Sequence, residues 1–229
     1  MEIVLASLLS GAREARGTAI IIDVYRAFTT APIAFLRGAE KIVLVAEIAE
    51  ALELRRQGVG EICIGEVGGM RPDGFDYGNS PYEISQADLE GKTIIQSTRA
   101  GTVGVAAASN ADHIYGASLV TAAATAKVVL KCAPELVTVV AMGGEGKVRS
   151  DEDEQCALYI RNLLQGRQPD RDAVRKLVLA GSESQKFGDP KRPHFHAKDR
   201  EMALLIDSLS FTIRVRQENG LLVARPEYV

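Results

Sequence analysis

The chain has 229 residues, 46% hydrophobic and 25% charged, with a formal net charge of −3. That length buries a sizeable core, and the charge balance carries no basic excess of the kind that announces a nucleic-acid partner. No apolar stretch approaches the roughly 20 residues that cross a bilayer. Cys63, Cys132 and Cys156 form an odd set without C-x-x-C spacing, which points to reduced core thiols rather than a disulfide framework.

Met1–Leu5 lacks the basic region and cleavage pattern of a signal peptide and reads as a first strand, so a cytoplasmic protein is expected. Strand-like and helix-like patterns then alternate. Ala19–Asp23 reads as a buried strand and Thr30–Gly38 as a helix, with Pro32 in its first turn where a missing N–H is harmless. Lys41–Ala46 is a strand, Ile48–Gln57 a helix and Glu61–Ile64 a strand. Residues 65–91 form a long irregular stretch rich in Gly, Pro, Asp and Asn, and loops of that length are often functional. Strands at Thr93–Gln96 and His113–Gly116 flank a small-residue helix at Thr102–Ser109, with His113 expected in the core.

Thr121–Lys131 is an alanine-rich helix leading to the strand Leu136–Met142. From Asp151 an amphipathic helix begins, with Cys156, Ala157, Ile160, Leu163 and Leu164 on one face. Asp170–Ala180 is a further helix, Ser182–Ala197 a polar loop, and Lys198–Ser208 a last helix. Asn219-Gly220 between the alternating runs Ser210–Arg216 and Leu221–Arg225 signals a hairpin. The expected fold is α/β: a largely parallel sheet flanked by helices, with a C-terminal antiparallel hairpin. It is read as one domain over residues 1–229, with room for two α/β subdomains.

Four strands end at polar clusters, and parallel sheets bind ligands beyond the carboxyl ends of their strands. Several familiar motifs are excluded. Gly91-Lys92-Thr93 resembles a P-loop tail but precedes a strand instead of a helix. Gly143-Gly144-Glu145-Gly146 lacks the third glycine of a dinucleotide fingerprint. No cysteine has an arginine six positions later, as a thiolate phosphatase requires, and Tyr25 stands where a haloacid-dehalogenase pattern needs its second carboxylate. His194 and His196 have no third nitrogen or sulfur ligand near them and read as solvated surface.

What survives is a set of anion-binding and acidic clusters. Asp23 ends a buried strand, followed by Arg26, Thr29 and Thr30 at a helix start; arginine and helix N-terminal N–H groups hold phosphate or carboxylate. The competing reading is an Asp23–Arg26 ion pair with Thr29 as helix cap. Asp151-Glu152-Asp153-Glu154 either opposes the helix dipole or, as hard oxygen donors at a strand-to-helix junction, suits Mg²⁺. Ser97-Thr98-Arg99-Ala100-Gly101-Thr102 reads as an anion nest or as an ordinary capped loop. Glu66, flanked by glycines, is a further candidate ligand, and Gly78-Asn79-Ser80-Pro81 is dense in turn formers.

Asp23-Val24-x-Arg26-Ala27-x-Thr29-Thr30, Gly65-Glu66, Gly78-Asn79-Ser80-Pro81-x-Glu83, Ser150-x-Glu152-Asp153 and Asp199-x-x-x-Ala203-x-x-x-Asp207 together resemble the 2-phosphosulfolactate phosphatase (ComB-type) family. The resemblance implies a Mg²⁺-dependent phosphatase of phosphate esters of 2-hydroxycarboxylic acids, on the route to coenzyme M, with an α/β fold of its own. The chain departs from the family pattern in two places. Ala100 stands where the family commonly has asparagine, and Val67 where it commonly has arginine, a role for which Arg71 is the expected substitute in space.

On this reading Asp23, Glu66, Glu152 and Asp153 hold the metal or orient its water, and Arg26 neutralises the phosphoryl oxygens. Thr29, Thr30, Asn79, Ser80, Ser97, Thr98, Gly101 and Thr102 bind the substrate, and Arg99 takes its carboxylate or sulfonate. Asp23 is the candidate nucleophile for a covalent route. The expected partner is a small anionic phosphoester, with no nucleic acid and no membrane; a homodimer is the commonest default for a soluble enzyme. The alternatives are a hydrolase or lyase of another anionic metabolite, motivated by Val67 and Ala100, and a non-catalytic phospho-ligand sensor.

Overall fold

Short runs of Ile and Val, stiff at χ1 and suited to a pleated buried surface, become the strands of a single sheet in the computed structural model, which describes residues 1–229. The strands are β1 (Glu2–Ser7), β2 (Thr18–Ile22), β3 (Lys41–Val45), β4 (Ile62–Gly65), β5 (Thr93–Ser97), β6 (His113–Ala117), β7 (Leu136–Ala141), β8 (Phe211–Glu218) and β9 (Leu221–Tyr228). The helices are α1 (Leu8–Glu14), α2 (Ala27–Leu36), α3 (Ile48–Arg56), α4 (Pro81–Ile84), α5 (Gly101–Ala107), α6 (Ala122–Cys132), α7 (Asp151–Leu164), α8 (Arg171–Ala180) and α9 (Ala197–Ala203).

The sheet order is β1-β7-β2-β6-β8-β9-β3-β5-β4. Strands β1, β7, β2 and β6 form one parallel block, and β3, β5 and β4 another. The expected hairpin, β8–β9, lies between them rather than at the end of the fold, antiparallel to β6 on one side and to β3 on the other. One apolar layer packs α1, α2 and α5 on the sheet through Ala12, Phe28, Ala31 and Val105, meeting Ile21, Ile42, Ile213 and Val215. On the other face α6, α7 and α8 cover Ile20, Ile22 and Val139, while α3 covers Val43, Ile95 and Val223.

The central hairpin reverses strand direction, so in a flat sheet the carboxyl ends of β2 and β5 would lie on opposite edges. Sheets twist by roughly 20–25° per strand. Over the five steps from β2 to β5 that accumulates to more than about 100° and swings the two rims toward each other. A hydrogen bond from the Gly101 N–H to Asp23 Oδ2, 2.8 Å long, records the meeting.

Several elements depart from expectation. Helix α2 starts at Ala27, three residues early, because Asp23 Oδ1 accepts the Ala27 N–H. Helix α9 stops at Ala203; the chain turns through Leu204–Ile206, and Asp207 takes a left-handed conformation (φ 57°). His113 is exposed, with its Nδ1 2.8 Å from Arg214 Nη2, and Cys132 is exposed at the end of α6, so neither belongs to the core. No helix is long and apolar enough to cross a membrane.

Candidate active site

At the joined rims lies a cavity of about 320 Å³, lined by the turns after β2, β4, β5 and β7, the first turn of α7, and a strap of residues 183–196 between α8 and α9. Three carboxylates tie these turns together, each by accepting two backbone N–H groups. Asp23 takes Ala27 (3.1 Å) and Gly101 (2.8 Å), starting α2 and joining it to the turn before α5. Asp153 takes Val24 and Gly143, both at 2.7 Å, joining α7 to the turns after β2 and β7. Glu66 takes Gly69 and Arg99, both at 2.8 Å, joining the β4 turn to the β5 turn. Gly101 permits the first of these junctions, since a Cβ there would stand 2.9 Å from Asp23 Oδ2 and 2.7 Å from the Ala27 Cβ.

The run 151–154 splits as a helix requires, successive side chains turning by about 100°. Asp151 faces solvent, Glu152 and Asp153 line the cavity, and Glu154 Oε1 accepts the Ser7 hydroxyl at 2.6 Å. Ser150 sits at the N-cap without a side-chain cap bond. Glu152 is tied to no other loop; its polar neighbours are Ser150 and its own N–H. Burial pushes Asp23 up to about 6, with repulsion from Glu66 adding to it and its backbone donors and Arg26 opposing it. Burial likewise pushes Glu152 up to about 7, helped by Glu183 and Asp23, and Asp153 rises well above the carboxylate range through burial and then through Glu152 and Asp23. These acids therefore feel one another across a shared, poorly hydrated space.

Arg26 does not pair with Asp23. Its buried guanidinium donates from Nη1 to Asp199 Oδ2 and the His194 carbonyl, both at 2.8 Å, and from Nη2 to the Gly69 carbonyl at 2.9 Å. Its Cζ lies 5.0 Å from the Phe195 ring centre and 6.0 Å from that of Phe187. The arginine thus holds the Gly68-Gly69 turn and the strap at once. Three of its five N–H donors are committed, and it still lines the cavity.

The structure brings Asp23, Arg26, Glu66, Asn79, Arg99, Glu152 and Asp153 to the cavity. Gly101 lies directly beneath Asp23. The expected hydroxyl donors are not part of the cavity lining; neighbouring backbone and carboxylate groups occupy all but Ser97, whose buried Oγ has no hydrogen-bond partner. Thr29 donates to the Val24 carbonyl, Thr30 to that of Asn79, and Ser80 to Asp199. Thr98 and Thr102 bond to each other's backbone N–H, and Ser97 is fully buried. Arg71 turns away to the Asp76 carbonyl, and Val67 is exposed outside the cavity; Ala100 lines it. Sequence reasoning passed over Glu183, Lys186 and Arg192, gave Tyr25 no role and read His194 as solvated surface, yet all five line the cavity. The density of charge in 183–196 was the available signal.

No three His, Cys, Asp or Glu side chains are gathered at metal-ligating geometry. The donor set nonetheless fits a hard divalent cation: clustered carboxylates whose mutual repulsion a cation would relieve, beside Asn79 Oδ1, a buried oxygen without a hydrogen-bond partner. Mg²⁺ keeps several waters and needs only one or two carboxylates directly.

A family described as 2-phosphosulpholactate phosphatase matches residues 5–199. The chain belongs to that family. It is 31% identical over 203 residues to a probable 2-phosphosulfolactate phosphatase of Bacillus subtilis (strain 168), a stretch covering 87% of each chain. A protein of the same name from Thermoplasma volcanium is 37% identical over 165 residues, 72% of this chain and 76% of its own. Another, from Carboxydothermus hydrogenoformans, is 41% identical over 145 residues, 63% of this chain and 59% of its own. The match to the 2-phosphosulpholactate phosphatase family ends at Asp199, so it contains every cavity residue and leaves out β8 and β9.

Proposed function

We propose that the chain is a cytoplasmic, Mg²⁺-dependent phosphatase of phosphate monoesters of 2-hydroxycarboxylic acids, with 2-phosphosulfolactate as reference substrate and coenzyme M synthesis as its setting. The observation that carries this is the meeting of four acids with cationic side chains around one cavity, in a chain of this family. Asp23, Glu66, Glu152 and Asp153 would hold the cation, which supplies Lewis-acid neutralisation of the phosphoryl oxygens.

The protein's own groups do the rest. Arg26 offers its two remaining N–H donors to the phosphoryl oxygens, preorganised by the bonds that hold its other three. Both oxygens of Asp23 are already bound to N–H groups, which favours water over Asp23 as nucleophile. Glu152, tied to no other loop, takes the proton from that water as it attacks phosphorus, and the alkoxide that departs in line takes a proton from solvent. Arg99, whose Nη1 lies 3.7 Å from the exposed Glu47, exchanges that weak pairing for the substrate carboxylate. The partner is a small anionic ester, without nucleic acid or membrane, and a homodimer is the default assembly.

Ala100 on the cavity wall favours a second reading, the same phosphoester chemistry on a differently shaped anion. Phosphate release from 2-phosphosulfolactate, phospholactate and p-nitrophenyl phosphate, with Mg²⁺ and then with chelator, separates the readings. Mg²⁺-dependent release led by phosphosulfolactate supports the first, and release led by another ester the second. Tight binding without any release would defeat both and leave a sensor.

A further inference from the structure

We propose that the strap carries a second cationic pole, Lys186 and Arg192, that reads an anionic group of the substrate distinct from its phosphate and from the carboxylate at Arg99. The inference rests on the phosphatase reading above. A phosphosulfolactate carries a phosphate, a carboxylate and a sulfonate, and the cavity floor is acidic. With a cation and Arg26 answering the phosphate, each further anion needs its own positive counterpart or is repelled by that floor. Arg99 supplies one, from the β5–α5 turn. Lys186 and Arg192 line the same cavity from a different element.

The strap is held as a specificity element requires. Tyr25 Oη lies 2.9 Å from Ser184 Oγ, which donates to the Val178 carbonyl at 2.6 Å. Arg200 donates to the Ser184 carbonyl at 2.9 Å. At the far end Arg26 holds the His194 carbonyl, and the Gly188 N–H donates to the Phe195 carbonyl at 2.8 Å. The backbone stems of the two cations are therefore fixed, while their charged ends are lightly engaged. Lys186 pairs only with Glu183, about as exposed as itself, and Arg192 Nε stands 3.9 Å from Asp189. Partly exposed i,i+3 pairs of this kind hold weakly in water, so a substrate anion displaces them at little loss. Arg26 also couples the two functions, since the side chain facing the phosphate is the one that anchors the strap.

The test compares kcat/KM at saturating Mg²⁺ for phosphosulfolactate, phospholactate and p-nitrophenyl phosphate, which carry two, one and no anionic groups besides the phosphate. Lys186→Ala with Arg192→Ala should lower the phosphosulfolactate-to-phospholactate ratio about 10- to 100-fold, the loss expected on removing charge-assisted contacts. Arg99→Ala should instead lower both acids relative to p-nitrophenyl phosphate. The double variant Lys186→Arg, Arg192→Lys should restore most of the first ratio, which a folding defect would not allow. An equal fall on all three substrates, or no fall, overturns the assignment. Calorimetry with sulfolactate and lactate reads the strap independently of turnover: the alanine pair should weaken sulfolactate at least tenfold more than lactate, and equal weakening contradicts the proposal. Absence of phosphate release by the unaltered chain would instead count against the phosphatase reading.

Discussion

Replacing Asp199 by asparagine should destabilise the protein by about 3–5 kcal/mol, the range for breaking a buried ion pair at one partner. Asp199 is fully buried and Arg26 is 3% exposed, so no solvent compensates the change. One carboxylate oxygen accepts the Ser80 hydroxyl (2.6 Å) and the Tyr82 N–H (3.1 Å), and the other accepts Arg26 Nη1 at 2.8 Å. An asparagine that keeps its carbonyl toward Ser80 and Tyr82 turns its NH₂ toward the arginine, donor against donor, and leaves the guanidinium charge without its counterion. For a chain of this length each kcal/mol is worth about 2–4 °C, so the melting temperature should fall by about 6–20 °C. Urea unfolding should show a lower midpoint at an unchanged m value. Because the two side chains act as a unit, Arg26→Met combined with Asp199→Asn should be less damaging than the sum of the single changes. A loss below about 1 kcal/mol for Asp199→Asn, or strict additivity in the cycle, would refute the buried clamp.

Gly101→Ala pushes a methyl group against Ala27 and Asp23; it should cost about 1–3 kcal/mol and lower kcat more than stability alone explains, measured by denaturation alongside phosphate release. Wild-type turnover in that variant would separate the Asp23–Gly101 junction from catalysis. Arg71→Ala should leave kcat/KM within about twofold, because its guanidinium faces the Asp76 carbonyl and not the cavity. A loss of tenfold or more would show that Arg71 does replace the arginine missing at Val67.

The strands and most helices were legible because their apolar periods are strong: Thr18–Ile22 is buried at every position, and α7 keeps one apolar face. Helix α1 was missed because Leu8–Glu14 is short, contains Gly11 and has no side-chain cap, and α4 because it spans one turn. The place of β8–β9 was not readable, since local pattern announces a hairpin but not which strands it pairs with. The acids of the site were legible as strand-end carboxylates. The hydroxyl residues beside them were overread: buried turns use Thr29 and Thr102 to satisfy their own backbone and Thr30 to satisfy the Asn79 carbonyl, and sequence does not separate that use from ligand binding. The strap's cations escaped notice because nothing in the local pattern of 183–196 shows that this loop folds over the cavity, where Arg26 binds the His194 carbonyl.

The shared claim beneath these readings is that Asp23, Glu66, Glu152 and Asp153 surround a divalent cation. Crystals grown with Mn²⁺ and measured for anomalous scattering test it most directly. One strong peak is expected inside the cavity, within coordination distance of at least two of those carboxylates, and lost in Glu152→Gln combined with Asp153→Asn. A cavity without a peak at millimolar Mn²⁺, or a peak bound elsewhere on the chain while phosphate release proceeds, would contradict it.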